Sequence, residues 1–210
     1  MSKYERRQVT HGIEMAAYAA IKESTTTPGT LDEAVVPKIF TGVTECGFET
    51  SQDSQEIFAD NQIHMKASGA SKTEGSIKGF QLPEDYLINH LGYVELENIG
   101  GYTATDNQRN FVWQYIELIT DEMGNQSRQL VIFYNVQPSP PKESSKTDTD
   151  KVEAKEFEIP CSALPNSMVR DPKGRAITSV IIPETKDNAW VFDLAYKQVV
   201  TPDTEEPPKV

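Results

Sequence analysis

The chain has 210 residues and a mass of 23.5 kDa, with 37% hydrophobic and 25% charged residues. That is material for one domain with one sizeable core, and it excludes a collagen-like, a membrane-embedded and a wholly disordered chain. Thirty-two acidic residues against twenty basic ones leave a net charge of -12 and a pI near 4.7, so the surface repels phosphate backbones and sequence-specific nucleic-acid binding is disfavoured.

Residues 1–10 are expected to form a flexible arm. Lys3, Arg6 and Arg7 are followed by Val9, Thr10 and His11 rather than by an apolar signal core, so the expectation is a chain without a membrane anchor that stays in the cytoplasm where it is made. Ile13, Met15, Ala17, Ala19 and Ile21 then alternate with Glu14, Tyr18 and Lys22, the period of a strand. After a turn-rich stretch over 24–29, ending in Pro28-Gly29, a second strand is expected over 38–48. Residues 45–60 hold five acids, Glu45, Glu49, Asp53, Glu56 and Asp60, and no Lys or Arg, which reads as a long solvent-facing loop. Short strands follow over 62–66 and 73–81, the second with Gly75 and Gly79 where a bulge or a close backbone approach is expected.

Leu82-Pro83-Glu84-Asp85 starts a short helix, with Pro in the first turn and two acids at its N-terminus; Leu87, Ile88 and Leu91 form an apolar stripe expected in the core, and Gly92 closes it. Strands at 111–120 and 128–137 flank Asp121-Glu122-Met123-Gly124-Asn125, a hairpin turn. In the second of these Val131, Phe133 and Asn135 alternate with Leu130, Ile132 and Tyr134, so both faces are apolar and the strand is central. Residues 137–151 are poor in apolar side chains and expected to be a mobile loop. Strand character returns over 152–163 and 176–182 around the turn Asp171-Pro172-Lys173-Gly174. The stretch 186–196 fits both periodicities and is read as helix. Residues 198–210, with Pro202, Pro207 and Pro208, are expected to be a flexible tail of this single domain, 1–210.

Chemistry-bearing motifs are scarce. His11, His64 and His90 have no second histidine at i+2 or i+4, and Cys46 and Cys161 lie far apart without ligand-spaced neighbours. No metal, cofactor or disulfide is therefore expected, and the thiols are read as reduced and mostly buried. There is no Gly-x-Ser-x-Gly, no phosphate-cradling glycine loop and no Cys-His-Asp cluster for nucleophilic catalysis. Asp148-x-Asp150 lacks the glycine and terminal glutamate of a calcium loop. Glu95 and Glu97, on one strand face, would be a glycoside-hydrolase pair only inside a pocket. An acidic β-sandwich that binds carbohydrate or a cell-surface polymer would need Tyr102, Trp113 and Tyr115 on an exposed face. The chain is not expected to be an enzyme, and assembly or binding is favoured.

Several motifs in a fixed order point further: Ser51-Gln52-Asp53-Ser54-Gln55, Ile57-Phe58-Ala59-Asp60-Asn61, Gly75-Ser76-Ile77-Lys78-Gly79, the helix ending in His90-Leu91-Gly92, Phe111-Val112-Trp113-Gln114-Tyr115, the strand at 130–136 and Trp190-Val191-Phe192. In that order they resemble the major tail proteins of long-tailed phages of Gram-positive bacteria, over roughly residues 10–196. The resemblance implies a mainly β fold, a β-sandwich or barrel-like tail tube fold with a short flanking helix. Its copies would form rings, hexameric by expectation, stacked into the tail tube through which DNA passes without specific binding. It also implies a tape measure protein, a tail terminator and a baseplate or distal tail protein as neighbours, with assembly in the host cytoplasm and a final place in the virion. Glu49, Gln52, Asp53, Gln55, Phe58 and Asp60 are then candidate contacts between subunits, because a polar excursion that is loose in the monomer can order against the next ring. Glu95 and Glu97 are candidate lumen-facing acids, whose repulsion of the duplex reaches about one Debye length, roughly 8 Å.

Overall fold

The computed structural model describes residues 8–32, 34–59, 62–142 and 154–207. Its elements are, in chain order, β1 (Gln8–Ala20), β2 (Lys38–Ile39), β3 (Val43–Ala59), β4 (Gln62–Gly79), α1 (Glu84–Asn89), β5 (Tyr93–Leu96), β6 (Gly101–Ala104), β7 (Phe111–Asp121), β8 (Gln126–Pro138), β9 (Phe157–Ala163), β10 (Asn166–Arg170), β11 (Ala176–Ile177), β12 (Ser179–Pro183) and α2 (Ala189–Leu194). Every strand pairing is antiparallel. The main sheet runs β2-β1-β7-β8-β9-β4-β3, with β12 also on β8, and β5-β6 and β10-β11 form separate two-stranded sheets.

Strand β8 is the axis of this arrangement, as its two apolar faces require. Val131 and Phe133 enter one buried cluster with Trp113, Phe40 and Ile77, while Leu130, Ile132 and Tyr134 enter a second with Val112, Ile116 and Phe192. The first cluster draws on β1 and β7 at one end of the sheet and on β4 and β9 at the other, so the sheet curls around Trp113 as a sandwich does. Among the described residues no barrel closes, because β2 and β3 at the two ends of the sheet do not pair. The β7–β8 turn is as expected: Gly124 takes φ 80, and Asp121 Oδ1 accepts the backbone N–H groups of Met123 and Asn125 at 2.9 and 2.8 Å.

The structure corrects several expectations. Strand β1 does not alternate cleanly: its register shifts beside Gly12 and again between Glu14 and Ala17, where Met15 takes φ 49 and is exposed. Each bulge adds a residue without a partner, so Ala16 to Ala19 are all buried in succession. Tyr196 donates its hydroxyl to the Met15 carbonyl at 2.8 Å and clamps the second bulge. Of the arm expected over 1–10, Gln8, Val9 and Thr10 pair with β7, and 1–7 lie outside the described residues. The loop expected over 137–151 lies outside from residue 143, while Gln137 and Pro138 pair with β9. The strand expected over 38–48 is broken by a turn at Thr41-Gly42 into β2 and β3. At the other terminus 198 is too early a start for a loose tail. Val199 and Val200 are buried in the second cluster, and Tyr134 donates its hydroxyl to the Val200 carbonyl at 2.9 Å.

In α1 the core residue is Tyr86, with Leu91 just past the C-cap also buried, whereas Leu87 is half-buried and Ile88 exposed. Tyr86 wins because an aromatic ring fills the site better: its centroid lies 5.0–5.2 Å from the rings of Phe40, Tyr18 and Phe111, all edge-on. Burial pushes its hydroxyl pKa well up, and Tyr86 Oη finds no hydrogen-bond partner among the described residues. Tyr86→Phe keeps every ring contact and removes a buried hydroxyl whose isolation costs ~1–3 kcal/mol. Its melting temperature is expected at or above that of the parent; a loss of more than a few degrees in calorimetry would show that the hydroxyl is bonded.

Candidate assembly surfaces

Strands β3 and β4 run together from Val43↔Gly79 to Ala59↔Gln62. At the base, β4 also pairs with β9, over Thr73 to Gly79. There the backbones approach so closely that a Cβ on Gly75 would stand 2.0 Å from the Gly47 carbonyl oxygen, and one on Gly79 2.4 Å from that of Gly42. Phe48 stacks on Phe133 of the central strand at 4.2 Å between centroids, and Lys78 bonds Glu45 at 2.8 Å. These contacts tie the base of the hairpin to the core.

Beyond Thr73 the two strands pair only with each other among the described residues. Thr50 and Thr73 join hydroxyls at 2.9 Å on the last rung of the base, and the free part beyond it, at 3.2–3.4 Å per residue, projects ~35 Å from the sheet. The solvent-facing loop expected over 45–60 is therefore one strand of a two-stranded arm, and the two short strands expected over 62–81 are its continuous partner. Thr and Ser pair well across strands even where neither face is buried.

The candidate contacts fall along this arm. Glu49 is exposed and opposite Glu74, Gln52 is exposed and opposite Ser71, Asp53 sits in the register shift between Gln52 and Ser54, Gln55 is opposite Ala67, and Phe58 is opposite Ile63. Asp60 lies outside the described residues.

A second surface is the β5–β6 hairpin. Tyr93 packs on the first core cluster and the Tyr102 hydroxyl bonds Glu84 of α1, so that face turns to the body; Val94, Leu96 and, in the turn, Ile99 are exposed. Glu95 and Glu97 are both exposed. They do not share a strand face, because β5 ends at Leu96 and Glu97 opens the turn that closes with the Ile99 and Gly100 N–H groups on the Leu96 carbonyl. Neither lines the cleft beside α1 that Phe80, Leu87 and Phe157 border.

Trp113 and Tyr115 are buried, so they form no exposed platform, and only Tyr102 of the three candidate aromatics reaches solvent. The two cysteines are free thiols: burial pushes Cys46 up to about 12 and Cys161 up as well, and Cys46 Sγ accepts the Trp113 indole N–H at 3.1 Å. Among the described residues no three His, Cys, Asp or Glu side chains converge as metal ligands, and no helix is long and apolar enough to cross a membrane.

Against known proteins, a family model described as phage tail tube protein matches residues 1–206. The chain belongs to the phage tail tube protein family. No curated protein matches it. As a tail tube protein it is a structural component of the virion tail, a major tail protein of phages of Gram-positive hosts. Neither the geometry nor the family favours the carbohydrate-binding reading. The sequence reading takes the segment that holds the contact candidates for a loop, whereas it is one strand of a ladder; the signal that could have found the ladder is the run of Thr and Ser in both 50–54 and 68–73.

Proposed function

We propose that copies of this tail tube protein close into rings of six, that the rings stack into the tube that conducts DNA, and that the β3–β4 arm links one ring to the next. The observation that carries this reading is the arm itself: a two-stranded ribbon that pairs with no third strand among the described residues is marginal in water and gains stability when another surface covers it. The Glu49↔Glu74 rung adds to this, since like charges directly opposite are unfavourable until a cation meets them. Within a ring, the outer edge of β3 and the two-residue β2 offer backbone groups that a neighbouring copy can pair. Glu49, Gln52, Asp53, Gln55, Phe58 and Asp60 are the contacts between subunits in this reading, and a tape measure protein, a terminator and a distal tail protein are the neighbours at the ends, met in the host cytoplasm.

Glu95 and Glu97 face the lumen in the same reading, where carboxylates keep the duplex hydrated and centred. Negative-stain microscopy of the concentrated full chain is expected to show rings and tubes of uniform bore; a monomer at every concentration, even with the tail initiator supplied, overturns the reading. Glu95→Lys with Glu97→Lys is expected to leave the tubes intact and to slow DNA delivery, most at low salt, where screening is weakest. Unimpaired delivery at low salt would assign these charges to solubility alone.

A further inference from the structure

Between Gly79 and Phe111 the chain leaves the main sheet to make α1 and the β5–β6 hairpin, which pairs with no other strand among the described residues. The hairpin closes on a narrow neck. The Arg109 N–H donates to the His90 carbonyl at 3.0 Å, and the Thr105 N–H and hydroxyl donate to the Gly92 carbonyl at 3.0 and 2.5 Å. Gly92 takes φ 74, and a Cβ on it would stand 2.8 Å from the Asn107 carbonyl oxygen. Outside the neck the hairpin is tied to the body by Tyr93 on the first core cluster and by Tyr102 on Glu84. A two-stranded element with so few ties sits at the low-stability end of a fold.

The side chain that locks the neck is His90, which is 4% exposed. Its ring lies 5.3–5.5 Å, centroid to centroid, from those of Tyr18 on β1, Tyr86 on α1 and Phe111 on β7. His90 Nδ1 stands 3.3 Å from the Arg109 carbonyl oxygen; that oxygen only accepts, so Nδ1 carries the hydrogen and Nε2 is the site left for a proton. Nε2 has no hydrogen-bond partner among the described residues. A charged ring in this place would bury a positive charge with nothing to pair it.

The neighbouring groups give that charge no relief. A second cleft, of about 340 Å3 between the ends of β1 and α1, is lined by His90 together with Lys38 and Arg109 and by no Asp or Glu. Asp85 is engaged by Lys38, and both are exposed. Arg109 is exposed and has no ion pair among the described residues. The two tyrosines stay neutral: burial, and then Asp85, push the Tyr18 hydroxyl up to about 12, and burial pushes that of Tyr86 well up. Burial holds the His90 pKa below its ordinary value; the Arg109 carbonyl opposes this, and the Arg109 and Lys38 charges add to it.

We propose that His90 is a pH-sensitive latch: at neutral pH the uncharged ring seals the neck among its three aromatic neighbours, and on acidification the ring leaves them to take up a proton, which frees the β5–β6 hairpin while the main sheet stays folded. Out in water the ring binds a proton with a pKa near 6.5. The packed ring binds one only at lower pH, so between the two values the open state holds more protons, and opening is favoured as pH falls through about 6.5. One proton per opening raises the opening constant at most about tenfold per pH unit. The exposed Val94, Leu96 and Ile99 move with the hairpin, so the surface a copy presents there is firm at neutral pH and loose in acid. The latch belongs to the single copy and does not depend on how copies stack.

Amide hydrogen exchange of the full chain, read by mass spectrometry at about pH 7.5 and about pH 5.5 with labelling times scaled to the intrinsic rate, tests this. Residues 91–109 are expected to lose protection about three- to tenfold on acidification while β7 and β8 keep theirs. In His90→Gln, whatever its starting protection, the acid-induced loss over 91–109 is expected to disappear. No loss in the parent, equal loss in the central strands, or the same loss in His90→Gln overturns the proposal. Exchange of the imidazole C2–H in the same samples needs no variant: His90 is expected to titrate below about 6.5, and a midpoint at or above that value also overturns it.

Discussion

Trp113→Ala is expected to cost about 3–5 kcal/mol, as removal of a large buried aromatic does when the surroundings relax only in part. Trp113 is fully buried at the point where the two ends of the curled sheet face each other, edge-on to Phe40 at 5.5 Å and to Phe111 at 6.2 Å. Its indole is held from two sides, by these rings and by the 3.1 Å bond to Cys46 Sγ on β3. Collapse into the space is restrained because Ile77 and Ile159, on the opposing strands, are locked in the β4–β9 ladder as the register pair Ile77↔Ile159. For a domain of this size each kcal/mol moves the melting temperature by about 2–4 °C, so a fall of roughly 6–20 °C is expected by circular dichroism. Leu87→Ala is expected to lose much less, since Leu87 is only half-buried. A Trp113→Ala shift under 3 °C would show that the sheet does not close around this side chain.

That core is legible in the sequence where a strand has two different apolar faces. Residues 130–136 declare a central strand because six apolar or large side chains alternate without a polar face, and the structure gives each set its own cluster. Legibility ends where geometry breaks the period. Gly12 and Met15 insert bulges that no count of alternation contains. The six-residue α1 spans too few turns for a stripe to be determined, so Tyr86, not Ile88, takes the core position. The arm is hidden for another reason: hydrophobic alternation reports a strand only when one face is apolar, and β3 from Glu49 to Glu56 is built of acids, Ser, Gln and Thr. The acid-rich stretch itself stands out by its charge and its partner strand does not, because cross-strand pairing is a relation between distant residues. Glu95 and Glu97 fail as a same-face pair because β5 ends at Leu96 and the turn over 97–100 begins at Glu97 itself.

Removing residues 52–55 together with 67–71 is expected to abolish tubes while leaving the monomer folded. The choice of both segments follows from the ladder: Gln52 pairs with Ser71 and Gln55 with Ala67, so deletion on β3 alone would leave every rung beyond it out of register. The paired deletion joins Ser51 to Glu56 and Lys66 to Lys72, and the rungs Ser51↔Lys72 and Glu56↔Lys66 then follow one another directly, with the register shift at Gln52/Ser54 gone. The arm keeps its apolar end and loses ~13 Å of reach at the rise of a strand. Contacts between side chains require approach within about 4.5 Å, so an end displaced by 13 Å meets nothing it met before, however well its own chemistry is preserved. Both core clusters and the base pairing over Thr73 to Gly79 are built from residues outside the deletion, so the monomer's melting temperature is expected to stay within a few degrees of the parent. Tubes of normal length from the shortened chain, seen by negative-stain microscopy, would show that the arm neither links rings nor sets their spacing. A collapse of monomer stability instead would assign the arm to the chain's own fold.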